Sequence, residues 1–274
     1  MKYIKIAVII AFILSLGVFI ASKVREIQSA DETLPEITSD RKLLEIPCDY
    51  TRDQLLEGLT AYDEKDGDLT SQIVAGDFSR FIEKGVCNVT YVVFDSGHQS
   101  ASLTRKLKFT DYVSPRFTLS KPLVYTEGTG SYEETISRLG AVDCLDGDIS
   151  EWIVQADTDV NYQTAGDYTM QAEVTNHYGD TVSVKLPIHV TEQGQALAIE
   201  LTSPIVYIRP GEDIDPKTYL EGVYDSEGEE LGTDVVEIDS SVRADTPGCY
   251  EIYYRAEDEQ GRSGENWLTV VVQD

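Results

Sequence analysis

Basic residues are scarce: 22 Lys and Arg stand against 49 Asp and Glu, a formal charge of -27 over 274 residues. A field of that sign repels polyphosphates, which excludes nucleic acid as a partner and makes an anionic lipid face a poor docking surface. Histidine is nearly absent, with His98, His177 and His189 the three in the chain, and only four Cys are present. No Cys/His spacing suits zinc. Ser-His-Asp arrangements, Gly-rich phosphate loops and metal-hydrolase motifs are also missing, so the chain reads as a non-enzyme. A carboxylate-pair hydrolase is the catalytic alternative, and it rests on the abundance of Asp and Glu alone.

Long apolar runs are absent except for Ile6–Ala21, which lies between Lys2 and Lys5 on one side and Lys23 and Arg25 on the other. With Ile4 and Ser22 included, it reaches roughly 28 Å as a helix, close to a hydrocarbon core. No small-x-small cleavage pattern follows it, and no Cys stands just after it to accept a lipid. The expectation is an uncleaved transmembrane signal anchor over residues 1–23, a linker over 24–33, and single-pass placement in the cell membrane. Basic residues flank both ends, so orientation rests on the strongly acidic remainder, placed outside with the N-terminus inside.

What is present is repetition. Gly85-Val-Cys-Asn-Val-Thr-Tyr-Val-Val-Phe-Asp95 aligns with the stretch from Gly166 to Asn176 and with that from Gly248 to Asp258. Alternate side chains share one face of a strand, so Cys87, Val89, Tyr91 and Val93 form a core face, as do Tyr168, Met170, Ala172 and Val174, and Tyr250, Ile252, Tyr254 and Ala256. The intervening Gln171, Glu173, Glu251 and Arg255 mark a wet face. Turns rich in Asp, Asn and Gly follow at Asp95, Asn176 and Asp258, and each copy closes on a further alternating strand. Upstream, TRDQLLEG at Thr51, SYEETISRLG at Ser131 and DPKTYLEG at Asp215 carry helix-start signals, including Ser131 with Glu134 at capping-box spacing and Pro216 at N1.

The pattern predicts an all-β fold of three tandem immunoglobulin-like β-sandwiches after the N-terminal helix, over residues 34–111, 112–192 and 193–274. The motif A-x-D-x-x-D-G-D-[LI]-[TS] at Ala61 and Ala141, the G-x-[YC]-x-[VMI] strand and the Asp/Asn-to-Gly turn after it resemble the bacterial immunoglobulin-like repeats of cell-surface proteins, including the type named after an insecticidal crystal toxin. The resemblance covers residues 34 to 274. It implies surface adhesion or envelope organisation and identifies no ligand. The third copy departs from it, because Tyr224 to Gly232 keeps the acids but loses the Asp-Gly-Asp spelling.

Two readings of that acidic turn stand side by side. Calcium takes six to eight oxygens, and Asp63, Asp66 and Asp68 with Asp95, and Asp143, Asp146 and Asp148 with Asn176, would supply two ligand sets. Asp225, Glu227 and Glu229 make a weaker third. Alternatively, Asp-Gly builds a turn and the carboxylates cap their own backbone without an ion. The spacing is not that of an EF-hand.

Among the cysteines, Cys48 and Cys87 share a domain and form the candidate disulfide, with a buried thiol at Cys87 the alternative. Cys249 is expected to point outward. His98 and His177 fall on equivalent turns, and His189 on an outward strand position, all three as surface residues. Asn88-Val-Thr90 matches a glycosylation sequon by chance. The functional expectation is a non-catalytic surface binding or adhesion protein, or a spacer, with a protein or glycan ligand. A scaffold or regulatory subunit of an envelope assembly is the alternative. No organic cofactor is expected.

Overall fold

The computed structural model describes the backbone of residues 2–28, 33–192 and 195–273. Parts of the expected 24–33 linker and of the junction after Thr191 lie outside the described residues. The first element, α1 (Lys2–Gln28), carries the apolar run, and its side chains from Val8 to Val24 are exposed. Among the described residues no helix is long and apolar enough to cross a membrane. The uninterrupted apolar stretch Ile6–Ala21, closed by Lys5 and Lys23, reaches only about 24 Å as a helix, short of a core of about 30 Å. The expected transmembrane anchor, the cell-membrane placement and the membrane partnership drawn from it are corrected accordingly.

Three sandwiches follow, each of a three-stranded and a four-stranded sheet. The first uses β1 (Glu36–Ser39), β2 (Leu43–Ile46), α2 (Arg52–Leu56), β3 (Leu59–Asp63), β4 (Gly67–Asp68), β5 (Val74–Phe78), β6 (Val86–Phe94) and β7 (Ser100–Phe109). Its sheets run β1-β3-β4 and β2-β7-β6-β5. The second uses β8 (Arg116–Leu119), β9 (Val124–Thr126), α3 (Tyr132–Arg138), β10 (Leu139–Asp143), β11 (Gly147–Asp148), β12 (Val154–Thr158), β13 (Gly166–Thr175) and β14 (Thr181–Thr191), in sheets β8-β10-β11 and β9-β14-β13-β12. The third uses β15 (Leu197–Leu201), β16 (Ile205–Ile208), β17 (Leu220–Asp225), β18 (Glu230–Leu231), β19 (Val236–Ser240), β20 (Gly248–Glu257) and β21 (Ser263–Val272), in sheets β15-β17-β18 and β16-β21-β20-β19. In each copy the second strand pairs parallel with the last, and every other pairing is antiparallel.

The alternating strands bury the faces their sequence assigns except at the first core positions of β13 and β20, where Tyr168 and Tyr250 are only half-buried. Cys87, Val89, Tyr91 and Val93 are fully enclosed, as are Met170, Ala172 and Val174 on β13 and Ile252, Tyr254 and Ala256 on β20. The short helices start where their caps stand. Thr51 and Gln54 close a reciprocal capping box on α2, Ser131 accepts from Glu134 N at the start of α3, and Asp215 caps a single 3-10 turn at Pro216–Tyr219. Behind α2 lies a buried cation: Arg105 on β7 donates to the carbonyls of Leu55 at 2.7 Å and Glu57 at 2.8 Å and to the Tyr91 hydroxyl at 3.1 Å. It thus satisfies helix-end carbonyls that have no partner within the helix. By compactness the chain divides into two units, residues 1–110 and 111–274, the second containing two sandwiches.

Candidate functional site

In all three copies the leading Asp of the acidic turn caps the turn's backbone through Oδ1, at the second and third residues onward in the first two copies and at the second and fourth in the third, where the positive-φ glycine, Gly228, also stands one position earlier. In the first, Asp63 Oδ1 accepts from Lys65 N at 2.8 Å and Asp66 N at 2.9 Å. In the second, Asp143 Oδ1 accepts from Leu145 N at 2.9 Å and Asp146 N at 3.0 Å. In the third, Asp225 Oδ1 accepts from Glu227 N at 2.9 Å and Glu229 N at 3.0 Å. Those bonds, chiefly from Glu229 and Glu227 and then Arg262, hold Asp225 below the usual carboxylate range. Gly67 and Gly147 turn the chain at φ +76° and +73°, where L side chains are strained.

A second turn, between the last two strands, faces the first. Its leading residue also caps with Oδ1: Asp95 accepts from Gln99 N at 2.8 Å, Asn176 from Asp180 N at 2.9 Å, and Asp258 from Arg262 N at 2.9 Å. The two turns are tied together. Ser96 donates through N and Oγ to Asp66 at 2.7 and 2.8 Å, and His177 N donates to Asp146 at 2.8 Å. Positive φ in this turn falls on Gly179 and Gly261 in the later copies and on His98, at φ 66°, in the first. The position that needs glycine is therefore one residue beyond Gly97.

The copies differ at Oδ2. In the second sandwich Asn176 Nδ2 donates to Asp143 Oδ2 at 3.1 Å and to the Tyr112 hydroxyl at 2.8 Å, and that hydroxyl donates on to Asp180. In the third, Arg262 bridges two carboxylates, Asp258 at 2.6 Å and Asp225 at 3.2 Å. In the first, Asp63 Oδ2 and Asp95 Oδ2 are buried with no hydrogen-bond partner. The remaining expected ligands are engaged locally. Asp68 and Asp148 are held low by the hydroxyl and then the backbone N–H of Thr70 and Ser150, at the surface. Among the described residues no group of three or more His, Cys, Asp or Glu side chains is arranged to hold a metal.

A second constellation joins sandwiches two and three. His189 on β14 is not a surface residue as expected: it is buried, with Nδ1 2.8 Å from Asp167 and Nε2 2.5 Å from Glu251 on β20 of the next sandwich. Its ring stacks on Trp267 of β21 at 4.0 Å and 8°. Both ring nitrogens face carboxylates, an arrangement that favours the imidazolium, in which both nitrogens donate. Burial is the largest single effect and opposes that charge, but Glu251 and then Asp167 together outweigh it and raise the pKa. Tyr207 of β16 reaches the other way, accepting from Phe117 N at 2.7 Å and donating to Phe117 O at 3.2 Å. Ile205 and Val271 of the third sandwich are part of the second sandwich's apolar core. Between the two sandwiches lies a cleft of about 670 Å³ whose walls include Lys185, Pro187, Tyr207, Pro247, Tyr250 and Glu251.

The cysteine expectations need correction. Cys87 is a free thiol facing the interior between two sheets, so no bridge to Cys48 forms, and burial pushes it up to about 11. Cys249 does point out of its own sandwich, but into the cleft and against the neighbouring core, where burial and then Glu251 push it up to about 12.

No family model matches the chain. It is 29% identical over 220 residues to the pesticidal crystal protein Cry22Aa of Bacillus thuringiensis, covering 78% of this chain. The similarity is weak. It agrees with the crystal-toxin resemblance of the repeats without placing the chain in a named repeat family. An uncharacterized 81.3 kDa protein of Acholeplasma phage L2 is 28% identical over 190 residues, 68% of this chain. The chain spans 29% and 24% of the lengths of these two relatives. Among solved structures, the M60 catalytic domain with two CBM51 domains of Clostridium perfringens ZmpB matches 88% of this chain and 31% of its own at TM-score 0.25 and 12% identity. The protocadherin GammaB4 extracellular domain matches 89% and 51% at TM-score 0.22 and 12% identity. Scores this low carry no information on activity or partners.

Proposed function

We propose that this chain is a non-catalytic tandem-sandwich protein that acts at a surface as a binding module or a spacer. The carrying observation is the joint between sandwiches two and three. A buried histidine between two carboxylates, a tyrosine clamp and a shared apolar core hold the two in one arrangement and frame the cleft between them. Fixed spacing is what a spacer requires, and a cleft with aromatic, apolar and charged walls is what recognition requires. Binding of soluble cell-wall glycan fragments and peptides to the full chain, measured by calorimetry, tests the recognition half. A ligand that loses affinity on Lys185→Ala or Tyr250→Ala supports binding at the cleft, and no binding to any of them leaves the spacer reading. Turnover of any of these compounds overturns the non-catalytic reading.

A further inference from the structure

Asp63 is 1% and Asp95 7% exposed, and each holds one carboxylate oxygen out of contact with water and with every hydrogen-bond donor. A buried carboxylate oxygen left in that state is strongly unfavourable, so such groups are normally paired. The other two sandwiches show what the position requires. In one, an amide stands in for the second carboxylate and donates to the first. In the other, both carboxylates remain and a guanidinium sits across them. The first sandwich keeps both carboxylates, as the third does, but has Gln99 where the third has Arg262. The Ser96 bonds to Asp66 hold the two turns together, as the His177 bond to Asp146 does in the second copy.

We propose that the first sandwich binds a hard divalent cation between Asp63 Oδ2 and Asp95 Oδ2, and that the second and third sandwiches bind none because Asn176 and Arg262 occupy the equivalent place. Carboxylate oxygens are the natural ligands of calcium and magnesium, and the guanidinium of Arg262 marks where the fold accepts positive charge. Two carboxylates leave most of the coordination shell to water and main-chain oxygens. That places the affinity in the weak range, with Kd on the order of 10⁻⁴–10⁻³ M. The proposal is independent of the joint between sandwiches two and three.

The test is hydrogen–deuterium exchange of the full chain in calcium, in magnesium and in EDTA. Ionic strength is matched because a charge of -27 gathers divalent ions loosely. At ~10 mM ion and a Kd of ~1 mM, amides opening from the bound state slow roughly tenfold. The slowing is expected in residues 59–70 and 86–101, under calcium or magnesium, and absent from 139–150, 166–181, 220–231 and 248–263. Asp95→Asn copies the Asp143–Asn176 pair, so it keeps the EDTA exchange pattern and loses the ion response. Gln99→Arg copies the third sandwich and does the same, while Asn176→Asp gains a response in the second. Three results overturn the proposal: exchange in the first sandwich that neither ion alters, as a shared proton would give; equal slowing in all three copies; or a response that survives in Asp95→Asn.

Discussion

Replacing His189 removes the charged centre of the joint, and the loss can be worked from its contacts. The bond to Glu251, 26% exposed, is a charge-assisted hydrogen bond in a mostly dry site, of a kind contributing about 1.5–3 kcal/mol. Asp167 is 86% exposed, and its contribution is screened to about 0–0.5 kcal/mol. The stack on Trp267 adds about 0.5–1.5 kcal/mol. His189→Ala should therefore destabilise residues 111–274 by about 2–5 kcal/mol, and His189→Phe, which keeps the stack, by about 1.5–3.5 kcal/mol. The pH dependence has a definite sign. The folded pKa is raised, so the stabilisation is fully present below the unfolded value of about 6.5 and is lost as pH rises through the folded value. The assay is Trp267 fluorescence in a Trp152→Phe background, where it is the sole tryptophan and an imidazolium against its face quenches it. A quenching titration with its midpoint above the ordinary histidine range, and urea unfolding that weakens toward alkaline pH, are expected. A midpoint at or below that range, or His189→Phe with wild-type stability and the same pH slope, would refute the reasoning.

Other outcomes follow from the same geometry. Arg105→Met leaves the Glu57 carbonyl without its buried donor and should cost about 2–3 kcal/mol by urea unfolding. His98→Gly relieves a left-handed backbone conformation that Gly179 and Gly261 supply in the other copies, and should raise stability by about 0.5–1 kcal/mol in the same assay. Cys144 is exposed, whereas Cys87 is buried with its thiol raised to about 11. Iodoacetamide on the folded chain at pH 8 should therefore modify Cys144, and Cys87 only after denaturation, as peptide mass spectrometry would show.

What the sequence made legible was local. Thr51, Ser131 and Asp215 act within three residues of their helices, and strand alternation of period two assigned Val89, Tyr91, Ile252 and Tyr254 to their cores without knowledge of any partner. The joint was not legible for the opposite reason. Alternation places His189 on the outer face of its own sandwich, and nothing local says that another sandwich covers that face. Cys249 points out of its own sandwich as alternation places it, and is covered by the neighbouring one for the same reason. Arg262 could have been found, since aligning the fifth residue of the turns sets Gln99, Asp180 and Arg262 in one column and shows a cation appearing beside two acids. Lys5 and Lys23 bound the apolar run on its two sides, so Ile4 and Ser22 do not lengthen it to a full hydrocarbon core.

The joint is the centre of the functional account, and distance between its two sandwiches tests it most directly. In a Cys48→Ser background, one spin label on the native exposed Cys144 and a second on Glu227→Cys report across it, while buried Cys87 and the half-buried Cys249 stay unlabelled. A fixed joint gives one narrow distance distribution by pulsed electron paramagnetic resonance, broadening on His189→Ala. A broad or two-peaked distribution in the unsubstituted joint would contradict it.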